Sequence, residues 1–345
     1  MTSTLLELLR WRQVRSNLGC GVTMRVIRVR EFGGPEVLVP EEVPDPVAGP
    51  GQVVVGLAVA DVIYLDTLLR GGWGGEFFPT ELPYVPGGGG AGRVLSVGEG
   101  VDPAWVGRHV LVRGSGGYAE RVVAGMEEVV EVPDGVDSTQ AAAMLHDGVT
   151  ALKLAREGKI ATGEWVLVAA ATGGAGSLLV QLARNAGARV VAAARGERKL
   201  ALARELGAEV VVDYSEDGWQ HRVRDAVGGA GVDLAFDGAG GELGKAVFDT
   251  VAEGGRFVTY GTSNGGFADI DARVAEQRQV TVTNSLEAGP PDQTTVRELL
   301  TEALTLTAER RIRAVIGATY PLARARDAHT SLAERATLGK SLLLV

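Results

Sequence analysis

The sequence predicts an α/β protein: a partly open β-barrel joined to a doubly wound parallel sheet. Three observations carry this. Short apolar runs separated by Gly and Pro fill the stretch from Met24 to about Val132. From about residue 146 strands and helices alternate at spacings of two to four residues. Between the first of these strands and its helix lies a glycine-rich turn. Alternating βα units favour a parallel sheet covered by helices on both faces.

In chain order, 1–23 reads as a loose extension. Leu5, Leu6, Leu8 and Leu9 are interrupted by Glu7, Arg10 and Arg12, which no secretory segment tolerates. A partner-binding or targeting helix is the other reading of it. Met24–Arg30, Val53–Val59, Gly92–Val97, His109–Val112 and Val129–Val132 read as strands, with one helix over Val62–Arg70. A helix opens at Ser138, taken as its N-cap, and runs through Ala141–Leu145. Strand Trp165–Ala170 is followed by helix Ala175–Asn185, then strand Arg189–Ala194 by helix Glu197–Leu206. Next come strand Val210–Asp213, helix Trp219–Val227, strand Val232–Phe236, helix Leu243–Val251 and strand Arg256–Tyr260. Strand Thr281–Ser285, helix Thr295–Thr307 and the apolar run Ser341–Val345 complete the chain.

Composition narrows the function. At about 150 residues per domain, the 345 residues suggest two domains. A net charge of −9 and 5% aromatic residues argue against a nucleic-acid binder. One cysteine, Cys20, permits no intrachain disulfide, so a reducing, cytoplasmic setting is expected. The four histidines stand at no metal-ligand spacing. No apolar run reaches the roughly 18 residues of a membrane helix.

The turn Ala170–Gly176 carries the chemistry. A dinucleotide turn needs a small residue for the tight bend, a Gly for close approach to pyrophosphate and a Gly for helix–strand packing. Ala171, Gly173 and Gly176 occupy those places. The helix that follows offers free N–H groups and a positive dipole end to phosphate. After the second strand stand Arg195, Arg198 and Lys199, where an NAD site expects an acid. Three cations suit a 2′-phosphate, so NADPH is expected, with Glu197 the one opposing charge.

The chain resembles the zinc-independent quinone oxidoreductases, the zeta-crystallin-like group of the medium-chain dehydrogenase/reductase superfamily. The resemblance spans Met24 to Val345. It rests on Glu31–Leu38, Tyr84-Val85-Pro86-Gly87 with Gly90-Ala91-Gly92, Gly117-Tyr118-Ala119-Glu120 and Gly148-Val149-Thr150-Ala151. Ala170–Gly176, Gly207-Ala208, Val212-Asp213-Tyr214 and Tyr320-Pro321-Leu322-Ala323 add to it. It implies a GroES-like substrate domain built from 24–145 and 286–345, around a Rossmann NADPH-binding domain of 146–285. It places Thr150 near the nicotinamide and Gly173, Gly174 and Ala175 at the pyrophosphate. Lys199 would meet the 2′-phosphate, Tyr214 the adenine, and the Tyr260–Ser263 turn, with Gly261 and Thr262, the nicotinamide ribose. Arg335 is implied as a further phosphate contact, and a homodimer paired through Thr281–Ser285 is implied as well.

Zinc-dependent relatives carry a His after Pro-Gly; here Gly88 follows Pro86-Gly87, and their catalytic Cys has no counterpart. The chain also departs from its own group. Ile63 stands where an Asn is common, and Trp73 where a Tyr follows Arg-x-Gly. Tyr64 and His146 are then the candidate proton donors. Tyr64, Asp66 and Trp73 are expected to line the substrate pocket, with His146 at its rim. The expected activity is hydride transfer from NADPH to a quinone or α,β-unsaturated carbonyl, with no metal. An enoyl-type reductase tailoring a secondary metabolite is the alternative, and a cofactor-binding protein with little turnover the further one.

Overall fold

A computed structural model describes residues 23–74, 78–287, 289, 291–335 and 337–345. The expected extension therefore lies outside the described residues except for Thr23, which already belongs to a strand.

Two short strands, β1 (Thr23–Arg28) and β2 (Val39–Pro44), pair antiparallel. Then follow β3 (Gln52–Val62), α1 (Tyr64–Arg70), β4 (Gly89–Val97), β5 (His109–Arg113), β6 (Arg121–Gly125) and β7 (Val129–Glu131). The middle of the chain holds α2 (Ser138–Met144), α3 (Asp147–Gly158), β8 (Trp165–Ala169), α4 (Gly174–Asn185), β9 (Arg189–Ala194), α5 (Glu197–Leu206) and β10 (Val210–Asp213). It continues through α6 (Trp219–Ala226), β11 (Val232–Asp237), α7 (Gly241–Asp249), β12 (Val251–Thr259), α8 (Ala272–Gln277) and β13 (Thr281–Asn284). The end comprises α9 (Gln293–Ala308), β14 (Ile316–Pro321), α10 (Ala325–Ala333) and β15 (Lys340–Leu344).

The second sheet is the parallel one, in the order β10-β9-β8-β11-β12-β13. Strand order reverses between β8 and β11, so a crevice opens beyond the C-terminal ends of those two strands. Its central strands are apolar along their middles, as helices on both faces require: Val166–Ala169 and Leu234–Phe236 are fully buried. The other large sheet runs β14-β15-β3-β4-β5-β7, with β6 also on β3. Its pairs are antiparallel except β14 with β15, so strands from both chain ends share one sheet.

Several boundaries differ from expectation for local reasons. The predicted helix over Val62–Arg70 starts at Tyr64, because Val59–Val62 pair with β15 and stay extended. Helix α2 is capped by Asp137 rather than Ser138: its carboxylate accepts the Gln140 N–H at 2.8 Å. The helix expected over Leu243–Val251 spans α7 instead, and Val251 already sits in β12. Strands β2, β6 and β14 and helices α3, α8 and α10 come from stretches not predicted to be regular.

Candidate functional site

The glycine turn stands at the crevice. β8 ends at Ala169, and Ala170 takes a left-handed φ of 53° that reverses the chain. The Gly173 N–H returns to the Ala170 carbonyl at 3.0 Å, and α4 begins at Gly174. Each glycine has its own reason. A Cβ on Gly176 would stand 2.4 Å from the Ala170 carbonyl oxygen, which α4 packs against. A Cβ on Gly174 would stand 1.9 Å from the Asp147 carboxylate. At Gly173 only the Ala170 oxygen lies within reach of a Cβ, at 3.4 Å, so backbone is offered to the crevice without a side chain. With Ala175, these residues make a helix N-terminus able to take an anion.

Beyond β9 the predicted cations divide. Lys199 lies 3.5 Å from the Arg335 carbonyl, and burial, then the charges of Arg195 and Arg335, push its ammonium below its ordinary range. Tyr214 feels the same two arginines, although burial raises its phenol overall. Arg195, Lys199, Arg335 and Tyr214 therefore form one cluster, tied to the Tyr260–Ser263 turn because Arg335 donates to the Ser263 carbonyl. Arg198 is exposed, and no contact among the described residues joins it to this cluster. Glu197, the opposing charge, is engaged by Arg204 at 2.6 Å.

A cleft of about 440 Å³ brings together Ile63, Tyr64, Trp73, His146, Thr150, Gly261 and Thr262. Leu65, Leu68, Val149 and Leu286 make much of its wall apolar. Tyr64 is 39% exposed and Trp73 52%, the latter beside Phe78 at the rim. Gly261 lies so close to the preceding loop that a Cβ would stand 2.1 Å from the Gly238 oxygen. Asp66 is not in this cleft. It is buried on the far side of α1, accepting the Ile63 N–H at 3.0 Å and the Tyr118 hydroxyl at 3.1 Å, and borders a neighbouring cavity. The i, i+3 spacing that makes Asp66 a helix cap turns its carboxylate away from Tyr64.

Sequence reasoning missed Asp61, Asp147 and Lys340. The Lys340 ammonium lies 2.6 Å from Asp61 Oδ1 and 2.9 Å from Asp147 Oδ2, and Asp61 Oδ2 lies 2.6 Å from His146 Nδ1. Asp61 is held below the ordinary carboxylate range: burial opposes ionisation, and the Lys340 and His146 contacts overcome it. The signal was a charge amid apolar residues, Asp61 within Val53–Val62 and Lys340 opening Ser341–Val345.

Known proteins bear on this geometry. The zinc-binding dehydrogenase family model matches residues 174–305, and the alcohol dehydrogenase GroES-like domain matches 49–134. A quinone oxidoreductase of Pseudomonas aeruginosa is 32% identical over 92% of this chain and 98% of its own. The chain belongs to the quinone oxidoreductase family of the medium-chain dehydrogenases/reductases. A 2-haloacrylate reductase of a Burkholderia species is 30% identical over 92% of this chain and 97% of its own. A mycobacterial protein solved in complex with NADPH superposes with a TM-score of 0.84 at 33% identity, covering 93% of this chain and all of that one.

Within this quinone oxidoreductase fold the glycine turn and the Arg195, Lys199 and Arg335 cluster fit a phosphorylated dinucleotide, since both are backbone or cationic donors without a local anion partner for Lys199. Zinc fits less well. Among the described residues no three His, Cys, Asp or Glu side chains converge as a metal would need. At Gly88, where zinc-dependent relatives carry a ligand, a Cβ would stand 2.5 Å from the His146 ring.

Proposed function

We propose that this protein is an NADPH-dependent reductase of quinones and α,β-unsaturated carbonyls that works without zinc. The observation that carries the reading is the continuity of the site. A glycine-lined helix N-terminus and a cationic cluster lie at one end, and a largely apolar cleft at the other.

When bound, NADPH supplies the hydride. Gly174 and Ala175 would donate backbone N–H groups to the pyrophosphate, Gly173 would give it room against the backbone, and Arg195 and Lys199 would hold the 2′-phosphate, with Arg335 adding a third charge. Tyr214 would cover the adenine. Thr150, Gly261 and Thr262 would flank the nicotinamide end. Ile63, Tyr64 and Trp73 would enclose a flat conjugated acceptor and exclude water, which strengthens electrostatic effects on its carbonyl oxygen. As hydride arrives at the conjugated carbon, charge builds on that oxygen, and Tyr64 or His146 is the donor available to it.

We assign 24–145 and 286–345 to the substrate domain and 146–285 to the cofactor domain, a division supported by the sheet that takes strands from both chain ends. We also assign the protein to the cytoplasm, on its single cysteine and the absence of a helix long and apolar enough to cross a membrane among the described residues.

The decisive measurement is NADPH oxidation against a panel of quinones and enones, paired with cofactor binding. Arg195→Ala and Lys199→Ala each remove a charge-assisted phosphate contact worth about 1.5–3 kcal/mol. NADPH affinity should fall about 10- to 100-fold, with NADH affinity nearly unchanged. Equal losses for both cofactors would sink the assignment.

A further inference from the structure

A largely buried ionic chain links the dinucleotide turn to the cleft. It runs from Asp147, packed over Gly174, through Lys340 and Asp61 to His146. Four elements supply it: α3, β15, β3 and the link between α2 and α3. Lys340 and Asp61 are almost wholly buried, while the His146 ring keeps 24% of its surface. Burying ions is costly unless they are paired, so a chain of this length demands a use.

His146 has a second property. Its ring borders the 440 Å³ cleft and also a separate cavity of about 590 Å³ whose wall includes Arg28, Thr80, Glu81 and Ser115. The imidazole therefore stands between the place where an acceptor would bind and a second cavity beside it. Gly88 makes room for it: any side chain there would strike the ring, with a Cβ 2.6 Å from Nε2.

We infer that His146 delivers the proton in the reduction, and that Asp61, itself held by Lys340, is a positioning residue that fixes its ring. This rests on the NADPH-dependent reductase reading above. With Nδ1 donating to Asp61, an imidazolium presents Nε2–H as its remaining proton. Formal charges agree. Asp61 and Asp147 against Lys340 leave one negative charge, which a protonated His146 cancels. Asp66 on α1 is the other acid whose charge is felt at the ring.

The step balances. A C–H bond of the reduced nicotinamide breaks and its hydride forms a C–H bond on the acceptor, which gains two electrons while NADPH becomes NADP⁺. The acceptor oxygen takes the proton as the His146 Nε2–H bond breaks, giving the enol, or from a quinone the keto tautomer that becomes the hydroquinone when a ring proton moves through solvent to the second oxygen. A solvent proton arriving through the second cavity restores the imidazolium.

The test uses the full-length enzyme with NADPH and a simple 1,4-quinone. His146→Ala should lower kcat about 10²-fold while NADPH affinity, read from cofactor fluorescence, stays within about threefold. Added imidazole should restore at least about tenfold of the lost rate, as a missing acid would and a missing packing group would not. Asp61→Asn should lower kcat about tenfold while the KM for the quinone stays within about threefold, because the ring loses the partner that fixes it but the acceptor pocket is untouched. Should that variant fail to fold, Asp61→Asn with Lys340→Met removes one charge of each sign and is read the same way. If His146→Ala binds NADPH and keeps the wild-type kcat, or imidazole restores nothing, the inference is overturned and the reductase reading stands. If the wild-type protein oxidises NADPH with no quinone or enone, it is the reductase reading that falls.

Discussion

His329 is fully buried and closes a hydrogen-bond chain beneath the site. Arg70 lies 3.3 Å from its Nδ1, the Tyr118 hydroxyl 2.8 Å from its Nε2, and that hydroxyl donates to Asp66 at 3.1 Å. The ring accepts from Arg70 and donates to Tyr118, which requires it to be neutral. Burial, then the Arg70 charge, pushes its pKa from 6.5 to about 3. Burial pushes Asp66 from 3.8 up to about 6. The signs oppose. The His329 contribution is complete above 6.5 and is lost as pH falls toward about 3. The Asp66 contribution is complete below 3.8 and is lost as pH rises through about 6. Across the shared window the slopes, each at most about 1.4 kcal/mol per pH unit, offset one another. His329→Gln removes one of them, so its urea midpoint should rise between about pH 6 and pH 4 relative to wild type. A variant that tracks wild type across this range would show that the offset is absent. A second residue, Tyr64, sits at the mouth of the cleft, 39% exposed. Tyr64→Phe should raise KM several-fold and change kcat by less than about threefold. A hundredfold loss of kcat in steady-state kinetics would move the proton to Tyr64.

At the scale of elements, the edge strand β13 makes the clearest prediction. Among the described residues it pairs only with β12, which leaves one line of backbone groups open, and Val282 and Leu286 are exposed beside it. An open, partly apolar edge invites a second copy. We expect a homodimer paired β13 to β13, with Val282→Lys shifting it to monomer in light scattering at micromolar concentration. A wild-type monomer under those conditions would remove this pairing. Other elements show how far periodicity reaches. β9, α5 and β10 match their expected limits, because each is a run of one texture bounded by Gly or charge. Strand β14 was missed because its residues alternate between half-buried and exposed, so no apolar face marks it. Helix α10 buries only Ala325, Ala328 and His329, and Arg326, Asp327, Thr330 and Ser331 break up any apolar period. Helix α3 follows α2 after a break at Leu145-His146, with Asp147-Gly148 at its start, residues that favour turns.

For the molecule as a whole, the sequence by itself determined the α/β class, the parallel sheet, the glycine turn and the cationic end of β9. These are local: a βα unit writes its turn, its helix start and its strand end in consecutive residues. Gly173, Arg195 and Lys199 could therefore be named from spacing, and matching motifs added Tyr214 and Arg335. Tertiary structure alone decided which charges meet. Asp61 and Lys340 are 279 positions apart in the chain, yet the β3–β15 register, with Asp61 opposite Leu342, sets them diagonally across on one face. Nothing in either segment indicates the partner, only that a charge within an apolar strand must find one. The same holds for Asp66, which looks like a pocket residue beside Tyr64 until α1 forms and turns its carboxylate inward. Arg198 stays outside the cluster because the one-residue step from Lys199, about 100° around the helix, carries it to the exposed face of α5. Long-range pairing and side-chain direction arise only when strands from opposite chain ends close one sheet, and they decide which groups meet His146.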